Sequence, residues 1–191
     1  MQLLSGFTDE TMTVFQWGIV IGASLIAAVS DLRERRIPNA LTFPLFVVGL
    51  IWAAWLGGLA GLAESFGACA LLALPYVLLF IFVGGGAGDA KLMGAIGAWL
   101  GLRQGLTVLA CVAIAGGIFA VAKAIARKQL RFVLTSVFVS FYGLILYLIT
   151  HRTMKLADEQ AEIKQSGDLD IPYGVAIFAG VCAGGGIVWL S

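Results

Sequence analysis

Polar positions interrupt this chain rarely and at wide intervals. Stretches without Asp, Glu, Lys or Arg cover residues 11–30, 37–63, 65–88, 104–122, 132–150 and 171–191. About 20 apolar residues suffice for a helix to cross a bilayer, and each stretch approaches or exceeds that length. Hydrocarbon offers the backbone no hydrogen-bond partner, so a spanning segment must satisfy its own groups as a helix. The pattern predicts helices over about 12–30, 41–60, 66–83, 88–102, 105–126 and 173–190. The expected architecture is all-α: a polytopic membrane helix bundle of about six transmembrane helices, forming one membrane-embedded domain over 1–191.

The interruptions orient the bundle. Residues 1–13 hold Asp9 and Glu10 but no Lys or Arg, whereas Arg33, Arg35 and Arg36 crowd the end of the first helix. By the positive-inside rule the N-terminus lies outside and the arginine loop is cytoplasmic. The first helix therefore delivers Asp31 at its cytoplasmic end. Gly18 and Gly22, spaced as small-xxx-small, would let a neighbouring backbone approach. Pro38 keeps Ile37 out of the α region and Asn39 suits a helix start; Pro44 is tolerated in the first turn that follows. Gly57, Gly58, Gly61 and Glu64 predict an outer loop. The next helix returns inward and brings Gly84–Gly88 and Asp89 to the side of Asp31.

Beyond Asp89 the spacing changes. Residues 88–102 make a helix of about 22 Å at 1.5 Å per residue, short of a hydrocarbon core of about 30 Å. A helix starting below the membrane surface, after permissive glycines, accounts for that length. Arg103 marks the outer turn, and Lys123, Arg127, Lys128 and Arg131 place the next helix end in the cytoplasm. Segment 132–150 either spans or lies in the interface; the last helix then begins outside or inside respectively. If it lies flat, Trp17, Trp52, Trp55, Trp99 and Trp189 all fall toward the outer face, where Trp is enriched. That favours 127–170 as a cytoplasmic interfacial helix and polar loop.

Composition narrows the function. Hydrophobic residues make up 60% of the chain and charged residues 12%, against about 25% charged in soluble domains. A net charge of +1 without a basic patch excludes a nucleic-acid partner. The start of the chain lacks a positive n-region, so its first apolar run reads as a retained helix. Cys69, Cys111 and Cys182 stand alone without any C-x-x-C pair and are expected as buried packing residues. Neither metal nor cofactor is expected. Zinc-protease H-E-x-x-H and nucleophile-elbow G-x-S-x-G patterns are absent. His151, the single histidine, has no evident partner, and Gly84–Gly88 completes no phosphate-binding pattern.

Carboxylates are what remain. Between residues 11 and 157 they are Asp31, Glu34, Glu64 and Asp89. An Asp at membrane depth costs on the order of 2.5–3.5 kcal/mol and is a functional candidate by default. Two aspartates within a few ångströms cannot both ionise easily and share a proton. Such a pair can hydrolyse a peptide, one member taking a proton from water while the other polarises the scissile carbonyl. From spacing alone other readings stay open: Asp89 as a helix cap, Asp31 as an interfacial charge, Lys91 as a snorkelling lysine, or Asp31, Asp89 and Lys91 as an ion relay in a small transporter.

Three motifs bear on the choice. Gly86-Ala87-Gly88-Asp89-Ala90-Lys91-Leu92 resembles the G-x-G-D-x-K-L motif of type IV prepilin peptidases, aspartic proteases of bacterial inner membranes. Asp31 through Pro38-Asn39 resembles their first-aspartate loop, which ends in Pro-Asn or Pro-Asp. Ile171-Pro172-Tyr173-Gly174 resembles the Pro-Tyr-Gly that opens their last helix at the cytoplasmic side. The resemblance implies that Asp31 and Asp89 are the catalytic pair. It gives Gly86, Gly88, Lys91, Pro38, Asn39, Pro172 and Tyr173 site-shaping or substrate-binding positions. It also implies a membrane-embedded prepilin or pseudopilin as substrate, cut at the cytoplasmic face of the inner membrane. Gly86 and Gly88 would admit the substrate backbone; the loop arginines, which would repel a basic leader, fit orientation or lipid contact. Larger members add an N-terminal region with paired C-x-x-C cysteines and methylate the new N-terminus. This sequence lacks those pairs, so methyl transfer is not expected, and the compact form is similar to peptidases of tight-adherence (Flp-type) pili. Presenilin-like proteases share G-x-G-D but pair it with Tyr-Asp on the preceding helix, where this chain has Phe80 and Phe82.

Overall fold

The computed structural model describes residues 9–83, 86–126 and 173–190. They form four helices: α1 (Asp9–Glu34), α2 (Asn39–Val83), α3 (Ala87–Ala126) and α4 (Tyr173–Leu190). All four are long and apolar enough to cross a membrane, which marks an integral membrane protein. The expected fold class is met, with four long helices, two of them interrupted by a glycine, where about six separate spans were expected. Segments 132–150 and 153–170 lie outside the described residues.

The difference in number comes from two single residues. Gly58 (φ 60°, ψ −145°) and Gly101 (φ 68°, ψ −172°) hold left-handed φ inside α2 and α3, a conformation that glycine adopts without a Cβ penalty. Each folds its helix back. In a straight helix, residues eight apart stand about 12 Å from one another. A Cβ on Gly61 would instead sit 2.6 Å from the Ala53 carbonyl oxygen. The outer loop expected from Gly57 to Glu64 is therefore a one-residue reversal between helical arms. Glu64 is helical, with Oε1 at 3.2 Å from where a Gly101 Cβ would be, so the two reversals lie side by side.

The arm of α3 before Gly101 is the centre of the molecule. Leu92, Met93, Ala95, Ile96 and Ala98 are completely buried there, as befits a helix apolar all round. One arm of α2 runs alongside in the same direction, with Gly49 against Trp99. The other runs antiparallel, with the Ala68 carbonyl 2.7 Å from a Cβ placed on Gly97. Small residues at such crossings allow the backbone approach that drives helix association in lipid. The second arm of α3 packs on α4, where a Cβ on Gly180 would stand 2.5 Å from the Val112 Cα. Helix α4 also lies antiparallel to α1, with Gly185 against Trp17 and Gly174 against Asp31.

Several expectations are corrected. Gly18 and Gly22 meet nothing; the close approach to α1 is made instead from α4, whose glycines carry it. Pro44 lies in the second turn of α2, because that helix begins at Asn39. Trp17 and Trp99 are core residues, 1% and 3% exposed, whose indole N–H groups donate to Gln104 Oε1 (3.1 Å) and the Leu45 carbonyl (2.8 Å). Trp55 and Trp189 are exposed. Cys69 and Cys111 are half-buried, but Cys182 faces outward.

Candidate active site

Asp31 lies in the last turn of α1 and not in the loop after it. The helix ends at Glu34, and Arg35, with φ 51°, returns its N–H to the Asp31 carbonyl at 2.9 Å. That is a left-handed C-cap, formed here without glycine. Ser30 Oγ then donates to the Arg36 carbonyl at 2.9 Å, which ties the turn to the helix. Ile37 is buried, and the Pro38 carbonyl accepts the Leu41 and Thr42 N–H groups at 3.0 and 3.4 Å. Pro38 thereby starts α2. The Asn39 side chain is not needed as a cap and turns to α3 instead, where its Oδ1 accepts from Lys91 Nζ at 2.9 Å.

Asp89 is the third residue of α3. Its N–H donates to the Gly86 carbonyl at 3.2 Å, so Gly86 occupies the cap position that the sequence left open for Asp89. An acid in the first turn suits the helix dipole. A Cβ on Gly86 would approach Asp89 Oδ2 to 2.9 Å, and one on Gly88 would approach Ile37 Cβ to 3.0 Å. Space at both glycines is thus taken up by the protein itself: one clears the carboxylate and the other seats the α1–α2 turn. Gly84 and Gly85 fall outside the described residues.

The two aspartates face one cavity. Asp31, Asp89, Gly86, Gly88, Asn39 and Lys91 line one cavity of about 250 Å³, with Arg35 and Arg36 at its wall. Asp31 and Asp89 are within electrostatic range of each other, and both are only partly exposed. Asp31 is held from α4: the Gly174 N–H donates to Oδ2 at 2.8 Å. That amide belongs to the first turn of α4, where N–H groups have no partner within the helix and the dipole favours a carboxylate. A side chain at 174 would collide, since its Cβ would lie 2.9 Å from Asp31 Cβ. Tyr173 is half-buried and packs its ring and hydroxyl against Gly116 of α3. Together with Tyr76 of α2 it comes within electrostatic range of Asp89.

A model of the type IV leader peptidase family matches residues 18–121, more than half of the chain and inclusive of both aspartates. The chain belongs to the type IV leader peptidase family. Among curated relatives, a prepilin leader peptidase/N-methyltransferase of Aeromonas salmonicida is 35% identical over 136 residues, covering 68% of this chain and 45% of the relative. A protein of the same name from Neisseria gonorrhoeae is 31% identical over 123 residues, covering 59% of this chain and 42% of the relative. A third, from Burkholderia pseudomallei, is 36% identical over 101 residues, covering 49% of this chain and 32% of the relative. The chain spans less than half the length of these relatives. No solved structure gives a match.

Of the residues singled out from the sequence, Asp31, Asp89, Gly86, Gly88, Lys91 and Asn39 converge on the cavity. Pro38 starts the helix beside it, Tyr173 stands at the start of α4, and Pro172 lies outside the described residues. Gly174, Ile37 and Tyr76 were not picked out as site residues. Gly174 could have been, because it closes the Pro-Tyr-Gly motif. Ile37 and Tyr76 look like any other apolar or aromatic residue of a membrane helix, and only their packing distinguishes them. Among the described residues no group of His, Cys, Asp or Glu could hold a metal ion.

Proposed function

We propose that this chain is an aspartic endopeptidase of a bacterial inner membrane, and that it removes the leader of a type IV prepilin or pseudopilin, with the Flp-type pilins as the favoured class. The observation that carries the reading is the shared cavity: Asp31 and Asp89, from different helices, line one partly enclosed space at the ends of apolar helices. Two carboxylates so placed hold one proton between them. The ionised member takes a proton from water, and the oxygen of that water attacks the scissile carbonyl carbon. The protonated member donates a hydrogen bond to the carbonyl oxygen as negative charge develops there. Collapse of the tetrahedral adduct breaks the C–N bond, and a proton passes to the departing amine. The products are a leader with a new carboxylate and a pilin with a free amino terminus. The water is consumed, and the pair regains its single proton.

Gly174 supports this chemistry without taking part in bond making. Its N–H fixes one Asp31 oxygen, so the other points to where water and substrate would bind. With helices reversing at Gly58 and Gly101, the four helices supply six arms, and the arginines beside Asp31 orient the cavity to the cytoplasm. Helix α4 begins beside Asp31, so its first turn lies on the side of the cavity. The relatives' names also include methyl transfer; this sequence carries no C-x-x-C pair, and leader removal is the activity we assign to it.

The test is co-expression of a candidate Flp-type prepilin with the wild-type chain, Asp31→Asn or Asp89→Asn, followed by the mass of the pilin. Wild type should release the leader and leave an unmethylated N-terminus; neither variant should cleave. Cleavage surviving either substitution overturns the dyad. Ion or solute flux through liposomes without cleavage would point to the transporter reading instead.

A further inference from the structure

The geometry points to Lys91 and Asn39 as a positioning clasp that sets the separation of Asp31 and Asp89. This inference rests on the peptidase reading for its kinetic consequences, though not for its structural one. Helix α1, which carries Asp31, packs chiefly on α4, whereas α3, which carries Asp89, packs chiefly on α2 and α4. The two aspartate-bearing helices are thus held in register indirectly. On one side the link is α4, through the Gly174–Asp31 hydrogen bond. On the other it is the turn between α1 and α2.

That turn meets α3 at two points. Ile37 fills the space over Gly88, and Asn39 Oδ1 accepts from Lys91 Nζ at 2.9 Å. Gly88 and Lys91 are three residues apart, so they share one face of α3. Asp89 follows Gly88 by one position, so its side chain projects from a neighbouring face and lines the cavity beside Asp31. The clasp therefore grips one face of the helix, next to the face that carries Asp89. Its chemistry suits the setting. A charged donor strengthens a hydrogen bond to a neutral amide, here between two exposed side chains, while the Pro38 carbonyl accepts the first N–H groups of α2 and leaves Asn39 available. Lys91 is accordingly a positioning residue, acting on the reaction through the turn that carries Asp31.

The experiment uses the full chain in nanodiscs with a purified Flp-type prepilin as substrate. Lys91→Met keeps the aliphatic stem and removes the donor; Asn39→Ala removes the acceptor. Each should lower kcat about tenfold with KM changed less than about twofold, since a small displacement of reacting groups is costly. The double variant should be no slower than the worse single, and Lys91→Arg should recover part of kcat. In parallel, nitroxides at Ala40→Cys and Ala87→Cys, with Cys69, Cys111 and Cys182 replaced by Ser, report the gap that the clasp bridges, between the start of α2 next to the Asp31 turn and the start of α3 next to Asp89. Their dipolar broadening should fall in Lys91→Met.

A rise in KM at unchanged kcat would make Lys91 a substrate ligand and overturn the clasp. So would losses that multiply in the double variant, or a Lys91→Met chain with wild-type kcat and unchanged broadening. If wild type cleaves no prepilin, the peptidase reading fails, and the spin labels alone decide the clasp: unchanged broadening in Lys91→Met rejects it.

Discussion

The two ends of the bundle are built from the same apolar helices, yet they are held together in different ways. At the end carrying Asp31 and Asp89, polar contacts join the elements, Gly174 to Asp31 and Lys91 to Asn39, around a cavity of about 250 Å³. At the opposite end the space is filled by aromatic rings. Trp52 stacks on Trp99 with centroids 6.1 Å apart and meets Phe15 at 5.3 Å. Trp99 donates to the Leu45 carbonyl, and Trp17 donates to Gln104. Close packing leaves no room for water or a ligand, whereas hydrolysis requires both. The contrast teaches that the aromatic end supplies rigidity, so that the polar end can stay open around two carboxylates that would otherwise be costly at membrane depth.

If that division holds, changes at the polar end should cost activity and changes at the aromatic end should cost stability. The largest effect is expected from Asp31→Asn and Asp89→Asn. Each should reduce prepilin cleavage by roughly 10³-fold or more without lowering the melting temperature in detergent. A wild-type rate in either would end the comparison at once.

Next comes a matched pair of glycines on α4. In Gly174→Ala the new Cβ would sit 2.9 Å from Asp31 Cβ, and kcat should fall about 10²-fold by displacing the carboxylate. In Gly180→Ala the Cβ would meet Val112 Cα at 2.5 Å, which should destabilise by about 1–3 kcal/mol. The folded fraction of that variant should keep its kcat. Single-turnover rates corrected for folded protein separate the two outcomes.

Trp99→Phe tests the aromatic end directly. It removes the N–H that reaches Leu45, whose carbonyl keeps its partner within α2, and leaves a gap beside the smaller ring, together a loss of about 1–3 kcal/mol. Chemical denaturation in mixed micelles would measure it, and kcat should stay within about twofold. The smallest effect is expected from Gly58→Ala. Open space surrounds that position, so the cost should be limited to a backbone conformation, φ 60° and ψ −145°, that is essentially glycine's alone, at the lower end of roughly 1–3 kcal/mol, with no change in cleavage.

The sequence carried the fold class and much of the site because both depend on local chemistry. Charge-free stretches must be helical in lipid, and Asp31 and Asp89 stood out as carboxylates where carboxylates are costly. Their placement on one side was expected from counting about six separate spans, whereas the described residues form four long helices, two of them reversing at a glycine. A one-residue reversal at Gly58 or Gly101 turns the chain as surely as the loop expected from Gly57 to Glu64. Loop and reversal share the same glycine-rich signature, so only backbone geometry tells them apart.

What the sequence alone determined is therefore the apolar helices, the two aspartates and the three motifs around them, since each is a property of residues read along one segment. What only the tertiary structure decided is how those segments touch. It put Gly174 under Asp31 while Gly18 and Gly22 face open space. It also assigned the helix start to Pro38, so that Asn39 could take Lys91, and it buried Trp17 and Trp99 in the core. The physical reason is that a small or amphipathic residue has no address of its own. A glycine permits close approach wherever it stands, and an indole N–H bonds whichever carbonyl is near. Which one it meets is fixed by packing between helices far apart in the chain.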